Sequence, residues 1–210
     1  MASVDVDERL GDIVITSEHR ERELCRMVPG VKWDNTARAW RVPLSWASCL
    51  ALRGVFRDGL VVGPGLEAWA RNERTTRVDP ALALRTARDC ESWAEALPEL
   101  YPFQRAGAAF LATAGSALMA DEMGLGKTVQ AISAVRALGA WPVLIVCPNS
   151  VKRTWANEIA RWAPDVSVTL VGGSAAARRS AIADFRTHTG PAALVINWEA
   201  LRLHTRVGGF

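Results

Sequence analysis

The chain has 210 residues, half of them hydrophobic and 22% charged, with a formal net charge of +3. That length holds one full domain, or a small one beside a medium one. No apolar run approaches the roughly 18 residues of a membrane span, and the acidic start (Asp5, Asp7, Glu8) is not a secretion signal. Cys25, Cys49, Cys90 and Cys147 are widely spaced, as are the three histidines, which excludes a disulfide framework or a zinc site by spacing and predicts a soluble, cytoplasmic chain with no membrane partner.

The charge is unevenly placed. Residues 101–210 carry 11 basic and 6 acidic side chains, and residues 18–57 carry 8 and 4, with an acidic stretch between them. Two basic regions fit two surfaces facing a polyanion, and they fit ordinary solubility as well.

Taken in order, Ile13-Val14-Ile15 predicts a short strand, and Thr16 and Ser17 can cap a helix over 18–27 that Pro29-Gly30 stops. Residues 31–43 then alternate about a polar centre, Asn35 to Arg38, which is a hairpin signal. That register sets Trp33 against Trp40 on one face and Lys32 against Arg41 on the other. The tryptophans are either core or an exposed stacking platform. Lys32, Arg38 and Arg41 are either a solvated face or DNA contacts, since like charges paired across strands repel and a phosphate over them would offset that. A second helix is expected over 44–52, and Leu60-Val61-Val62 can close a small sheet.

Residues 63–99 read as a connector with two helical stretches, 66–73 and 80–97, and no chemistry. At Tyr101-Pro102-Phe103-Gln104 an aromatic pair stands beside a glutamine at a helix start. The amide can donate and accept toward an adenine while the rings of Tyr101 and Phe103 offer stacking faces; a surface glutamine and a core phenylalanine are the plainer alternative.

About twenty residues later comes Asp121-Glu122-Met123-Gly124-Leu125-Gly126-Lys127-Thr128, the phosphate-binding half of a P-loop. Gly124 and Gly126 allow tight positive-φ turns, so that backbone N–H groups can face an anion at the N-terminus of the helix predicted over 127–138. Lys127 supplies charge for the β- and γ-phosphates, and the Thr128 hydroxyl suits Mg²⁺. Met123, Leu125 and Val129 belong to the same nucleotide-binding stretch. The general pattern asks for glycine where Asp121 stands. Apolar strands are expected at 117–120, 142–147, 166–171 and 192–197, with helices between them, which demands a parallel sheet with the loop at its carboxyl edge.

Two resemblances follow from these residues. Helix, Pro29-Gly30, the hairpin Lys32 to Pro43 and a second helix resemble the HARP-type module found beside annealing-helicase motors, which implies a junction-DNA contact over about 40 residues. Residues 100–203 resemble the first motor lobe of the Snf-type DNA translocases of helicase superfamily two. Tyr101 to Gln104 is similar to their adenine motif, and Ala120 to Gln130 to their motif I, where aspartate is usual at the position of Asp121. Val146 to Glu158 is similar to motif Ia, which implies Asn149, Ser150 and Lys152 as DNA contacts; Lys152 and Arg153 read equally well as a solvated helix face. Val195-Ile196-Asn197-Trp198-Glu199 resembles the segment before motif II.

The implied fold is α/β: an incomplete RecA-like P-loop parallel sheet with flanking helices (100–210), preceded by a small α+β module (1–62). The implied ligands are ATP, Mg²⁺ and double-stranded or junction DNA, with Lys127 and Thr128 carrying the chemistry. No Asp-Glu-x-His motif follows residue 192, where Glu199 is the one acid. The resemblance therefore implies either a fragment of a longer motor or one piece of a split motor completed by a second polypeptide, with motif II and the second lobe lying elsewhere; without them ATP hydrolysis is very poor. A stand-alone ATP- and DNA-binding module, or another P-loop enzyme such as a kinase, are the competing readings.

Overall fold

The computed structural model describes residues 1–208, with side chains through residue 203. The chain divides into two compact units, Met1–Pro80 and Ala81–Phe210, and the division falls inside the stretch read as a connector. No helix among the described residues is long and apolar enough to cross a membrane.

The N-terminal unit is built on strands β1 (Ala2–Asp7), β2 (Asp12–Thr16), β3 (Lys32–Asp34), β4 (Ala39–Pro43) and β5 (Leu60–Val62). They lie in the order β3-β4-β2-β1-β5, antiparallel except for the β1–β5 pair. Alternation puts Ala2 and Val4 of β1, Ile13 and Ile15 of β2 and Trp40 and Val42 of β4 into one core. Helices α1 (Arg22–Met27), α2 (Trp46–Phe56) and α3 (Pro64–Glu73) complete it with Cys25, Leu52, Phe56 and Leu66. Ser45 caps α2 by accepting from the Ser48 N–H at 3.1 Å, and Asp5 of β1 accepts from the Leu66 N–H in the first turn of α3 at 2.7 Å.

The hairpin forms in the expected register, with Lys32 opposite Arg41 and Trp33 opposite Trp40. The Asp34 carboxylate folds the turn by accepting from the N–H groups of Thr36 and Ala37 at 2.9 and 3.1 Å. Strand β1 is absent from the sequence reading. The helix expected over 18–27 begins as a 3-10 turn, His19–Glu21, before α1, and Glu21, rather than Thr16 or Ser17, accepts from the N–H of Glu18.

A π-helical turn (Arg74–Val78) leads into α4 (Asp79–Leu84), where regular helix stops. The helix expected over 80–97 is thus largely replaced by turns and a short 3-10 helix, Glu91–Trp93. The cause is tertiary: the Asp89 carboxylate accepts from the Cys90 N–H and takes both Nε and Nη2 of Arg105, at 2.9 and 2.8 Å, which holds this segment against α5 (Pro102–Ala114).

The C-terminal unit continues with α6 (Lys127–Leu138), β6 (Val143–Cys147), α7 (Lys152–Trp162), β7 (Ser167–Leu170), α8 (Ala175–Thr187), β8 (Ala192–Asn197) and α9 (Trp198–Gly208). The three strands are parallel, in the order β6-β8-β7, with helices flanking them. This is a partial RecA-like α/β fold. Ile132, Ile159 and Ala163 pack with Ala193 and Val195 of β8, and Val171 and Ala200 pack with Leu194 and Ile196 of the same strand. Central β8 is apolar and buried from Ala192 to Ile196, as a strand covered on both faces must be, and only its last residue, Asn197, is polar.

One expected strand is missing. Residues 117–120 belong to no regular element and pair with nothing among the described residues, and Leu118 is 86% exposed. A strand exists only through its neighbours, and β6, whose outer edge is unpaired, does not reach this segment.

Candidate functional site

The loop between residues 120 and 127 has the backbone that its glycines predict. Gly124 and Gly126 sit at φ +87° and +75°, and Gly126 is the left-handed residue from which α6 starts. A side chain at Gly126 would also strike the Gln104 amide, so both backbone conformation and space demand glycine there. Met123, 95% exposed, projects from the loop; Leu125 is exposed, Thr128 is half-buried in the first turn of α6, and Val129 is buried behind it.

The Lys127 ammonium turns back over the loop and donates to the carbonyls of Asp121 and Glu122 at 2.8 and 2.9 Å. These are weak partners for a full positive charge, which prefers an anion. The loop is thereby preformed around its own lysine.

Gln104 is buried at the start of α5, and its amide is used at both ends. Its Oε1 accepts from the Tyr101 N–H at 3.1 Å, and its Nε2 donates to the Leu125 carbonyl at 3.3 Å. The glutamine therefore joins the aromatic pair to the phosphate loop. Tyr101 and Phe103 are stacked, with centroids 6.0 Å apart and planes within 4°, and both are exposed.

Asp121, the departure from the general loop pattern, accepts from the Gln130 amide at 3.4 Å. Gln130 also donates to the Leu125 carbonyl at 3.2 Å. In the sequence Gln130 closes the stretch that resembles motif I and carries no role of its own, since its position on α6 does not show that it is buried.

The family model described as "SNF2-related domain" matches residues 12–207. The chain belongs to this family. Similar relatives include the SWI/SNF-related matrix-associated actin-dependent regulator of chromatin subfamily A-like protein 1 of Bos taurus, 44% identical over 159 residues, 71% of this chain and 17% of the relative. Its Caenorhabditis elegans homologue is 34% identical over 148 residues, 68% of this chain and 21% of the relative. The DNA annealing helicase and endonuclease ZRANB3 of Bos taurus is 49% identical over 71 residues, 33% of this chain and 7% of the relative. The chain thus spans about a fifth or less of the length of these SNF2-related relatives.

The expected DNA-contacting residues of this SNF2-related chain fall into two groups, one in each unit. Asn149 and Ser150 are exposed in a 3-10 turn at the carboxyl end of β6, where α7 begins. Lys152 is half-buried, and its ammonium donates to the Val171 carbonyl at 2.6 Å and to Asn197 Oδ1 at 3.4 Å, so it spans the carboxyl ends of all three strands. Asn149, Lys152, Arg178, Asn197 and Glu199 line an open cleft of about 450 Å³. Asn197 donates to Glu199 and lowers the affinity of that carboxylate for protons.

In the N-terminal unit, Lys32 and Arg38 are exposed, and Arg38 takes a left-handed φ of +50° at the hairpin tip. Arg41 differs. Its guanidinium pairs with Asp34 at 2.8 Å and Asp7 at 2.9 Å, so the repulsion from Lys32 is offset within the protein. Trp40 is buried, whereas Trp33 is 43% exposed with its ring 5.1 Å from Trp40, edge to face.

Proposed function

We propose that this chain is the nucleotide- and DNA-binding N-terminal part of an ATP-dependent DNA translocase or helicase. The observation that carries the reading is the preformed loop of Gly124, Gly126 and Lys127, tied through Gln104 to an exposed aromatic pair. Its glycine cradle and the helix N-terminus behind it suit a triphosphate.

On ATP binding, Lys127 exchanges two carbonyls for β- and γ-phosphate oxygens, a gain because a charge-assisted bond to an anion replaces one to a neutral group. Gln104 trades its internal partners for the adenine edge, and Tyr101 or Phe103 stacks on the base. Thr128, in the first turn of α6, would ligate Mg²⁺ through its hydroxyl. Mg²⁺ held there would supply charge neutralisation for phosphoryl transfer.

Asn149, Ser150 and Lys152 face a DNA strand from the motor lobe (100–210), and the HARP-like module (1–62) contributes Lys32 and Arg38, with Arg41 behind them. A relative named a DNA annealing helicase supports DNA as the polyanion, and a chain that acts on DNA would work inside the cell. Hydrolysis then requires residues supplied by a polypeptide with motif II and the second lobe. The unpaired outer edge of β6 and the unpaired segment 117–120 support a further strand at that position.

The test is reconstitution. Adding the polypeptide with the remaining motifs should produce DNA-stimulated ATP hydrolysis, and Lys127→Ala in this chain should abolish it. Absence of activity from the complete set would leave a binding module without catalysis.

A further inference from the structure

Gln130 has no exposed surface, a rare condition for a glutamine, and it is the one polar residue among the largest fully buried side chains of the described residues. Its Oε1 is buried with no hydrogen-bond partner, beside Gly107 of α5, where any side chain would overlap it. An orphaned buried carbonyl is costly, and a leucine or methionine of similar volume would fill the site without that cost. What the amide provides is its other end. Nε2 donates to the Asp121 carboxylate at 3.4 Å and to the Leu125 carbonyl at 3.2 Å, that is, to both ends of the phosphate loop. The Leu125 carbonyl also receives Gln104 at 3.3 Å.

We propose that Gln130 is a positioning residue for the phosphate loop, holding residues 121 and 125 in place when Lys127 leaves their neighbourhood for a bound phosphate. The need arises from the lysine. In the ligand-free loop Lys127 is itself a brace, on the carbonyls of Asp121 and Glu122. Phosphate binding removes that brace at the moment when the N–H groups of the loop must keep their direction. Gln104 cannot replace it, since its amide is the group that turns to the base. Gln130 lies beneath the loop, out of reach of either ligand part, and its two bonds survive both exchanges. Gly107 serves the same end by letting α5 and α6 close over the amide. This inference rests on the nucleotide-binding reading above.

Calorimetry on the 210-residue chain tests it, with Mg-ATP and inorganic tripolyphosphate as the two probes. Losing the two Gln130 bonds in Gln130→Leu should weaken both ligands alike, by about 5- to 10-fold for a loop no longer held. Its melting temperature should stay level or rise, because the orphaned carbonyl is gone. Gln130→Met should behave the same way and stands in should the leucine variant not fold. In contrast, Gln104→Ala should weaken ATP and spare tripolyphosphate. Unchanged affinity for both probes in Gln130→Leu, or a loss confined to ATP, overturns the positioning role. The underlying reading fails differently: Lys127→Ala would then leave tripolyphosphate binding as it was.

Discussion

Arg41 and Asp34 are joined by a 2.8 Å bond from the guanidinium Nε to the carboxylate, across the hairpin that carries Trp33 and Trp40. Asp7, on β1, takes the other side of the same guanidinium at 2.9 Å. The Asp34 carboxyl is held below its usual range by the Ala37 N–H and then by Arg41, and that of Asp7 chiefly by Arg41. Groups with depressed folded values stabilise fully above the unfolded carboxylate range, near 4, and lose that contribution as pH falls through the folded values. The melting temperature of the chain should therefore drop as pH falls below about 4. Arg41→Ala should lower it at neutral pH and flatten the acid limb; an acid limb as steep as in the parent would remove these pairs as its cause.

Lys32 and Arg41 sit opposite each other, yet only Lys32 of the two is exposed, so their alanine variants should separate. Lys32→Ala and Arg38→Ala should leave melting unchanged and each reduce the salt slope of DNA binding by about 1. Arg41→Ala should act mainly through stability. Equal salt slopes for Lys32→Ala and the parent would return Lys32 to solvent.

The two tryptophans divide in the same way. Trp40→Ala removes a buried ring and should cost about 3–5 kcal/mol. Trp33→Ala removes an edge-to-face contact and part of a ring, so about 1 kcal/mol is expected. Denaturant unfolding of the two variants measures both, and a Trp33 loss equal to that of Trp40 would contradict the difference in burial.

Lys127→Ala removes the loop's charge and should weaken Mg-ATP binding by about 10- to 100-fold, the worth of one or two charge-assisted bonds. Because Lys127 also braces the free loop, residues 121–125 should exchange amide hydrogens faster in the variant even without nucleotide.

Much of this was legible in the sequence because it is local. The hairpin register follows from alternation about Asn35 to Arg38, and α6 from Gly126 at its start and Gly139, at φ +59°, at its end. What was not legible depends on residues distant in the chain. Strand β1 alternates Val4 and Val6 with Asp5 and Asp7, and the charges hide a period of two that a sheet neighbour makes evident. Residues 117–120 have the composition of a strand and lack the partner that would make one. The Asp7 partner of Arg41 lies 34 positions away, so the repulsion from Lys32 looked like a demand for phosphate. At the site, the glycines and Lys127 announced themselves by type and spacing. Gln130 did not, since nothing in the spacing shows that a glutamine on that side of α6 is sealed against Gly107.

The outer edge of β6, unpaired among the described residues, carries a hazard for the polypeptide on its own. Val143 to Cys147 is apolar throughout, and Leu144 is half exposed, so the edge offers free backbone donors and acceptors beside sticky side chains. Two copies that meet there can extend each other's sheets, and concentration alone drives that encounter. Colloidal behaviour at high protein load is then set by this one strand, and Leu144→Lys, a single gatekeeping charge, should keep the chain clear in light scattering where the parent turns cloudy.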